Sequence, residues 1–349
     1  MSGFGDTLLT PPKISIVLAT HNTPSERLCR VLEAIRENTD TPYELIIVDT
    51  SRNRDTVASL SAHFRARLVK PHVDQGLGAS WNLGVRTAAA PVLAFVCDDV
   101  YVEPNWASAG LSCLRGNVKI VSGKLLDSKE EGVLNAAGSY TDVFGVSWNR
   151  GIGEYDRGRY DKPELIFRAV GAVFLIEKTA FGEVGAFDDS YFLYAEDMDI
   201  SWRLQLAGYD CMYVPSMRAR HDWMATTSKH TTPLTQYHYL LERNRLQTLL
   251  KNYSKRTLLS IIPWYAVIKI AHTAWLICHG RRAEVFRLWR AFIWIGMNRR
   301  EILRKRYLTQ RLRRRTDYEI QQLMLKLPAE VLLGLGYFKH PMVDAARGK

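Results

Sequence analysis

The chain has 349 residues, 47% of them hydrophobic and 24% charged, enough to bury a full core as one large domain with an appendage or as two ordinary domains, which excludes a disordered or miniature protein. Its five cysteines, at 29, 97, 113, 211 and 278, form no C-x-x-C pair and no zinc spacing, which removes a disulfide framework or cysteine metal site and fits a reducing cytosol. The net charge of +11 sits in one segment, because residues 281–315 hold thirteen Lys or Arg against two Glu and the rest sums to zero; basic character therefore says little about an active site. Residues 1–12 lack the basic and apolar regions of a cleaved signal peptide, so the chain is expected to stay inside the cell.

Residues 14–19 read as a buried strand that breaks into Thr20-His21-Asn22-Thr23-Pro24 just before the helical recurrence of Leu28, Val31, Leu32 and Ile35, a β-loop-α unit. Residues 44–48 form a second strand ending at Asp49. Ligands of open α/β sheets bind at such strand ends, where Asp49 would either accept a hydrogen bond from a pyrimidine N–H or serve as an ordinary loop acid. A short strand at 67–70 leads into Asp74-Gln75-Gly76-Leu77-Gly78, which has neither G-x-G-x-x-G nor Walker spacing; its glycines predict close backbone approach rather than a phosphate cradle. The most apolar strand, 91–96, closes in Cys97-Asp98-Asp99, and two acids ending a buried strand require water, a partner or a metal.

A further strand at 119–123 precedes residues 124–166, which are polar and read as one long functional loop covering a ligand. Residues 169–176 return as a strand in which Gly171 permits close approach. In the stretch 188–208, Ile200, Leu204 and Ala207 recur at helical spacing, Gly208 is a C-cap, and Glu196, Asp197 and Asp199 crowd the first turn. The positive end of the macrodipole stabilises their ionised forms, which suits a base awaiting a proton and equally suits a surface helix. Trp202 is expected in the core and Arg203 beside a local acid. Residues 236–252 read as an amphipathic helix. Residues 258–278 are apolar but interrupted by Pro263, Lys269 and His272; a spanning helix needs about twenty apolar residues with few charges, so a helix in or on the membrane interface is expected. Aromatic residues at 285–294 and nine cations at 299–315 suit an anionic membrane surface. No nucleic-acid-binding motif accompanies them, and no nucleic-acid partner is expected.

Phe187-Asp188, Tyr191-Phe192-Leu193, Glu196-Asp197-Met198-Asp199, Trp202-Arg203, Gly208-Tyr209, Pro215 and His221 together resemble the GxFDExFFxYxEDxDLxxRxxxxGY…P…H signature of family 2 glycosyltransferases. The likeness extends over roughly residues 13–252, through the I-I-V-D-x-S strand end at Asp49, the N-x-G-x-x-x-A-R-N-x-G-like helix ending in Asn82-Leu83-Gly84, the D-x-D position at 97–99 and the E-R-N-R run at 242–245. It implies an α/β GT-A fold in residues 1–252, a Rossmann-like mixed sheet, with a helical, basic, membrane-associating appendage at 253–349, and a place in the rhamnosyltransferase-like group that builds bacterial surface polysaccharides. It also implies an inverting displacement in which Asp197 is the base and Glu196 orients the acceptor or the base. The donor would be a nucleoside-diphosphate sugar, of UDP or dTDP, bound by Thr20, Asn22, Asp49, Asn82, Asp98 and Asp99. Gly171 and Ala172 would line the acceptor side, and Asp99 with His221 would hold Mg²⁺ or Mn²⁺. The acceptor would be a glycan or a lipid-linked glycan at the anionic inner face of the plasma membrane. Three departures stand out: Asp74 and Trp81 replace the motif's Asn and Arg, and Cys97 replaces the first acid of D-x-D with a ligand too soft for magnesium or manganese. Cys97 and Trp81 motivate an alternative, a catalytically silent sugar- or nucleotide-binding homologue, against which Asp99, Glu196, Asp197 and His221 stand intact.

Overall fold

A computed structural model describes residues 11–51, 55–222 and 234–326. The apolar run of β1 (Ile14–Thr20) is buried at every position, as a strand covered on both faces must be. It pairs in parallel with β2 (Tyr43–Asp49) and β4 (Val92–Cys97), and β2 pairs in parallel with β3 (Arg67–Val69). Helices α1 (Ser25–Asn38), α2 (Asp55–His63) and α3 (Leu77–Thr87) connect them. The register sets Thr20 opposite Asp49 and Ala19 opposite Cys97, so three candidate stations end on one sheet edge.

The chain then runs through β5 (Val100–Val102), α4 (Trp106–Cys113), β6 (Val118–Asp127), β7 (Leu134–Ala137), β8 (Ser139–Thr141), β9 (Ser147–Asn149), β10 (Glu164–Ile166), β11 (Val173–Glu177), α5 (Lys178–Glu183), α6 (Glu196–Leu206) and β12 (Asp210–His221). The sheet order is β10-β12-β6-β11-β4-β1-β2-β3. Because β11 is antiparallel to both β4 and β6 while β6 and β12 are parallel, the sheet is mixed, as expected. The long loop expected at 124–166 is instead four short strands, with β8 and β9 forming a sheet of their own. The buried ammonium of Lys124 ties them down through Asp156 at 2.8 Å and Asp161.

Helices α7 (Leu234–Asn252), α8 (Lys255–Cys278), α9 (Arg282–Met297), α10 (Arg299–Arg311) and α11 (Asp317–Ile320) complete the described chain. Trp202 and Leu206 of α6, Leu246 and Leu249 of α7 and Ile261 and Tyr265 of α8 share one apolar cluster, so a continuous core crosses residue 252. Trp202 is in the core, as expected. Of the nine cations at 299–315, five hold this body together: Lys305 pairs with Asp188, Arg306 donates to the Leu250 and Tyr253 carbonyls, Arg313 to that of Asn252, Arg314 pairs with Glu183 and Arg315 with Asp210. The outward faces of α8 and α9 are apolar, with Leu259 79%, Trp264 67%, Phe286 69% and Met297 78% exposed.

Candidate active site

The loop entering α6 is strained. Phe192, Tyr194 and Ala195 have φ of 64°, 71° and 66°, left-handed conformations that cost about 1–3 kcal/mol each in a non-glycine residue. Helix α7 holds them: the Asn244 amide donates to the carbonyls of Tyr191, Leu193 and Tyr194 at 3.0, 2.8 and 2.8 Å, and Arg243 donates to those of Ser190 and Tyr191 at 2.9 and 2.6 Å. From the other side, Leu77 N–H donates to the Phe192 carbonyl at 2.7 Å. Gly76 has φ 94°, and a Cβ there would meet that carbonyl oxygen at 1.9 Å, which bears out close approach as the reason for the glycine. Asn82, expected at the donor, is another clamp on this loop. Its amide donates to the Phe187 carbonyl at 2.9 Å and to Asp189 at 2.7 Å while its oxygen accepts from Phe187 N–H at 3.1 Å, so its hydrogen bonds are directed to the protein.

The three acids of the first turn diverge. Asp197 Oδ2 accepts from Arg168 Nη1 at 2.5 Å and Gly171 N–H at 2.9 Å, and Oδ1 accepts from Met198 N–H at 2.7 Å. A Cβ at Gly171 would lie 2.8 Å from Asp197 Oδ2, so the glycine makes room for the carboxylate. Ala172 is buried, and its carbonyl accepts from Cys97 N–H at 3.0 Å. Glu196 is 7% exposed; burial first and the Asp197 charge second push its carboxyl up to about 8. Its Oε2 is buried without a hydrogen-bond partner among the described residues. Asp199 turns inward to Arg203 at 2.9 Å, Lys251 at 3.0 Å and Asn252 at 3.2 Å, which gives Arg203 its expected local acid. Burial alone would raise Asp199, but Arg203 and Lys251 outweigh it and lower its carboxyl.

At the end of β4, burial and the charges of Asp99, Asp98, Glu196 and Asp197 push the Cys97 thiol well above its ordinary value. The thiol donates to the Gly171 carbonyl at 3.6 Å, as its protonated form does. Asp98 accepts from the Thr23 hydroxyl; burial and Asp99 push it up to about 6, against the Thr23 and Thr20 hydroxyls. Asp99 Oδ1 lies 3.4 Å from His221 Nε2, and His221 Nδ1 lies 3.0 Å from Asn135 Oδ1. With Nδ1 directed to the Asn135 oxygen, the other ring nitrogen, Nε2, is the one that faces Asp99 and would offer its lone pair to a cation bound there. Two lone-pair donors this close suit a shared cation, since adjacent ligands of an octahedral magnesium are about 3 Å apart. Among the described residues no group of three or more His, Cys, Asp and Glu could hold a metal, so further ligands would come from phosphate oxygens and water. The donor set fits a hard divalent cation.

Thr20 and Asp49 are buried at the ends of β1 and β2. Asp49 Oδ1 accepts from Ser51 N–H at 2.8 Å, Asn22 N–H donates to the Ser51 hydroxyl at 2.8 Å, and Asp49 Oδ2 is a buried acceptor with no partner among the described residues. These three stations therefore gather at one edge. Trp81, in place of the motif's Arg, is fully buried against Phe95 and Phe187 at ring distances of 5.1 and 5.3 Å. Arg168 was missed by sequence reading, as was the purpose of Arg243 and Asn244, although the E-R-N-R run marked their place.

A cavity of about 380 Å³ opens beside Glu196 and Asp197. Its wall includes Gly145 and Ser147 of the β8–β9 hairpin, part of the stretch expected to cover the donor.

Residues 15–185 match the model of the family described as Glycosyl transferase family 2. Over 237 residues the chain is 26% identical to the N-acetylglucosaminyl-diphospho-decaprenol L-rhamnosyltransferase of Mycobacterium tuberculosis, covering 61% of this chain and 77% of that one. A stretch of 51 residues is 43% identical to rhamnosyltransferase WbbL of Escherichia coli, covering 15% and 19% of the two chains. Among solved structures, that of GalNAc-T7 with UDP, GalNAc and Mn²⁺ superposes with a TM-score of 0.57 at 16% identity, over 70% of this chain and 49% of that one, a likeness of fold. The match to glycosyl transferase family 2 thus runs through residues 15–185, and the mixed sheet that carries it has the GT-A fold.

Proposed function

We propose that the chain is an inverting glycosyltransferase that moves a sugar, rhamnose or another hexose, from UDP or dTDP to a glycan or lipid-linked acceptor in surface polysaccharide synthesis. The observation that carries this reading is the convergence of Asp98, Asp99, Glu196 and Asp197 around Cys97, on the sheet edge where Thr20 and Asp49 also end. The similarity to two rhamnosyltransferases supports it. The acceptor hydroxyl oxygen attacks the anomeric carbon, the bond from that carbon to the diphosphate oxygen breaks, and the hydroxyl proton passes to Asp197. Arg168 and Gly171 N–H fix Asp197 Oδ2, while Oδ1 accepts the Met198 N–H and keeps a second lone pair for that proton. Glu196, protonated at neutral pH, donates a hydrogen bond that orients the acceptor. Asp99 and His221 would hold Mg²⁺ or Mn²⁺, which when bound supplies positive charge to the leaving diphosphate. A thermal-shift panel of UDP, dTDP, GDP and CMP with Mn²⁺ tests the reading: one nucleotide should stabilise the protein, and no response to any of them would overturn it.

The enzyme is further proposed to sit on the cytoplasmic face of the membrane. Among the described residues Lys255–Cys278 is long and apolar enough to cross a bilayer, yet α8 packs into the enzyme core through Ile261 and Tyr265, which favours a helix lying in the interface. Its exposed Leu259, Trp264 and Trp275, with Phe286 and Trp289 of α9 and the exposed Arg281 and Arg282, form an apolar and cationic face. This moves the main membrane contact from the basic segment at 299–315 to α8 and α9. Sedimentation with neutral and anionic vesicles should find the protein on both, more on the anionic, and its absence from both would remove the proposal.

A further inference from the structure

A second cavity, a groove of about 590 Å³, opens between the first half of α8 and α10 and shares no lining residue with the cavity beside Glu196 and Asp197. Native packing leaves few voids larger than a water molecule, whereas ligand sites run to about 300–1,000 Å³. Leu250, Leu258, Ile262, Ile295, Ile302 and Leu303 wall it. The charged residues of the same lining are all cations, Lys255, Arg299 and Arg306. Lys255 and Arg299 are exposed and stand at its mouth, and Arg306 is half-buried. Arg306 donates to the carbonyls of Leu250 and Tyr253, and Arg299 to that of Gly296 at 3.3 Å. Acids on neighbouring segments are matched elsewhere: Asp317, whose charge reaches Arg306, pairs with Arg313 at 2.8 Å, and Glu301 with Arg304 at 2.7 Å. Apolar walls under a mouth with cations and no carboxylate are complementary to an anionic amphiphile. The wall residue Leu259 is 79% exposed, and with Trp264 it joins the groove to the outward apolar face of α8.

We propose that this groove is a site for one molecule of an anionic phospholipid, with an acyl chain between α8 and α10 and the phosphate at Lys255, Arg299 and Arg306. The lipid is a bound partner and not a substrate, since the groove is separate from the acid pair. This goes beyond the interfacial placement argued above, because it claims one saturable molecule held without any bilayer. The site lies on the helix that also carries Lys305, the partner of Asp188.

Native mass spectrometry of the full chain in neutral detergent, titrated with phosphatidylglycerol or with phosphatidylcholine of the same acyl chains, tests it. Phosphatidylglycerol should reach a plateau at one molecule per chain and bind about tenfold or more tightly than phosphatidylcholine. Lys255→Gln combined with Arg299→Gln, both at exposed positions, should bring the two lipids within about twofold, while Lys255→Arg with Arg299→Lys should keep the preference. Glycerophosphoglycerol, the headgroup alone, should not displace the lipid. Equal binding of the two lipids by the native chain overturns the proposal, and so does uptake that passes one molecule without a plateau. A preference unchanged in the paired glutamine variant also overturns it, as does displacement by an equal concentration of the headgroup. Sedimentation with vesicles by a chain that shows no such plateau sinks this site alone and leaves the interfacial placement standing.

Discussion

Two sets of acids lie within a few residues of one another, and they are treated in opposite ways. The side chains of Asp188 and Asp199 are covered and matched: Lys251 serves both, Lys305 adds to the first and Arg203 to the second. Burial alone would raise Asp188, but Lys251 and Lys305 overcome it and hold its carboxyl well below the usual range. Glu196 and Asp197 are as deeply buried; Asp197 keeps Arg168, whereas Glu196 is pushed up by burial and by Asp197, and both acids add to Asp98 and Asp99 in raising the Cys97 thiol. Asp188, Glu196, Asp197 and Asp199 read alike along the chain; counter-charge from distant elements decides which carboxylate is lowered and which is raised. Because two of those counter-charges come from α7 and α10, the basic C-terminal region is part of the catalytic body.

The largest effect expected from this contrast is on stability. Asp188→Ala would take from Lys305 its close carboxylate and leave the buried Lys251 with Asp199 alone, a loss of about 3–5 kcal/mol in urea unfolding, while the remaining folded protein keeps its nucleotide affinity. Near-native stability would erase the difference between the two sets. Asp197→Asn should do the reverse, lowering transfer by about a hundredfold or more through loss of the base, with donor affinity close to normal; turnover near the native rate would remove the base assignment. A smaller change is expected from Asp99→Ala, which should weaken Mn²⁺-dependent nucleotide binding about tenfold in titration calorimetry, with His221→Ala weaker in effect. Unchanged affinity in Asp99→Ala would end the metal role.

What could be foreseen in the chain was local. β1, β2 and β4 announce themselves as unbroken apolar runs, and α6 by its spacing and its Gly208 stop, because burial on both faces and helix periodicity are written in consecutive residues. The acid pair, Asp99 and His221 were marked by the resemblance to the family 2 signature and not by periodicity, and the fold brings Asp99 and His221 to 3.4 Å. The remainder depends on partners far along the chain. Asn82 clamps a carbonyl 105 residues away, and Lys305 meets Asp188 across 117. Strands β7 to β10, three or four residues each, are too short to show a period and rest on Lys124 and Arg150 contacts to other segments. The five stapling cations at 305–315 look, along the chain, the same as free surface charge.

The smallest effect separates the two sets most directly, because it follows the protons themselves. The Glu196 carboxyl titrates near 8 in the folded protein against an ordinary 4.5. Below 4.5 both folded and unfolded chains keep this proton. Between 4.5 and 8 the unfolded chain loses it while the folded chain retains it, so the unfolded state binds fewer protons and stability falls as pH rises through that window; above 8 the slope ends. Asp188 behaves oppositely, since its lowered folded value gives stability above its ordinary 3.8 that is lost as pH falls below it. Glu196→Gln has no proton to hold, and its amide can still donate a hydrogen bond to an acceptor. The melting temperature of the variant minus that of the native protein should therefore grow between about pH 5 and pH 8, by on the order of 2 °C, and then level off. Asp98, which also titrates in this range, is common to both proteins and cancels in the difference. A difference that stays constant across the series would mean that Glu196 ionises as an ordinary surface acid, and the contrast between a matched and a crowded carboxylate would not hold.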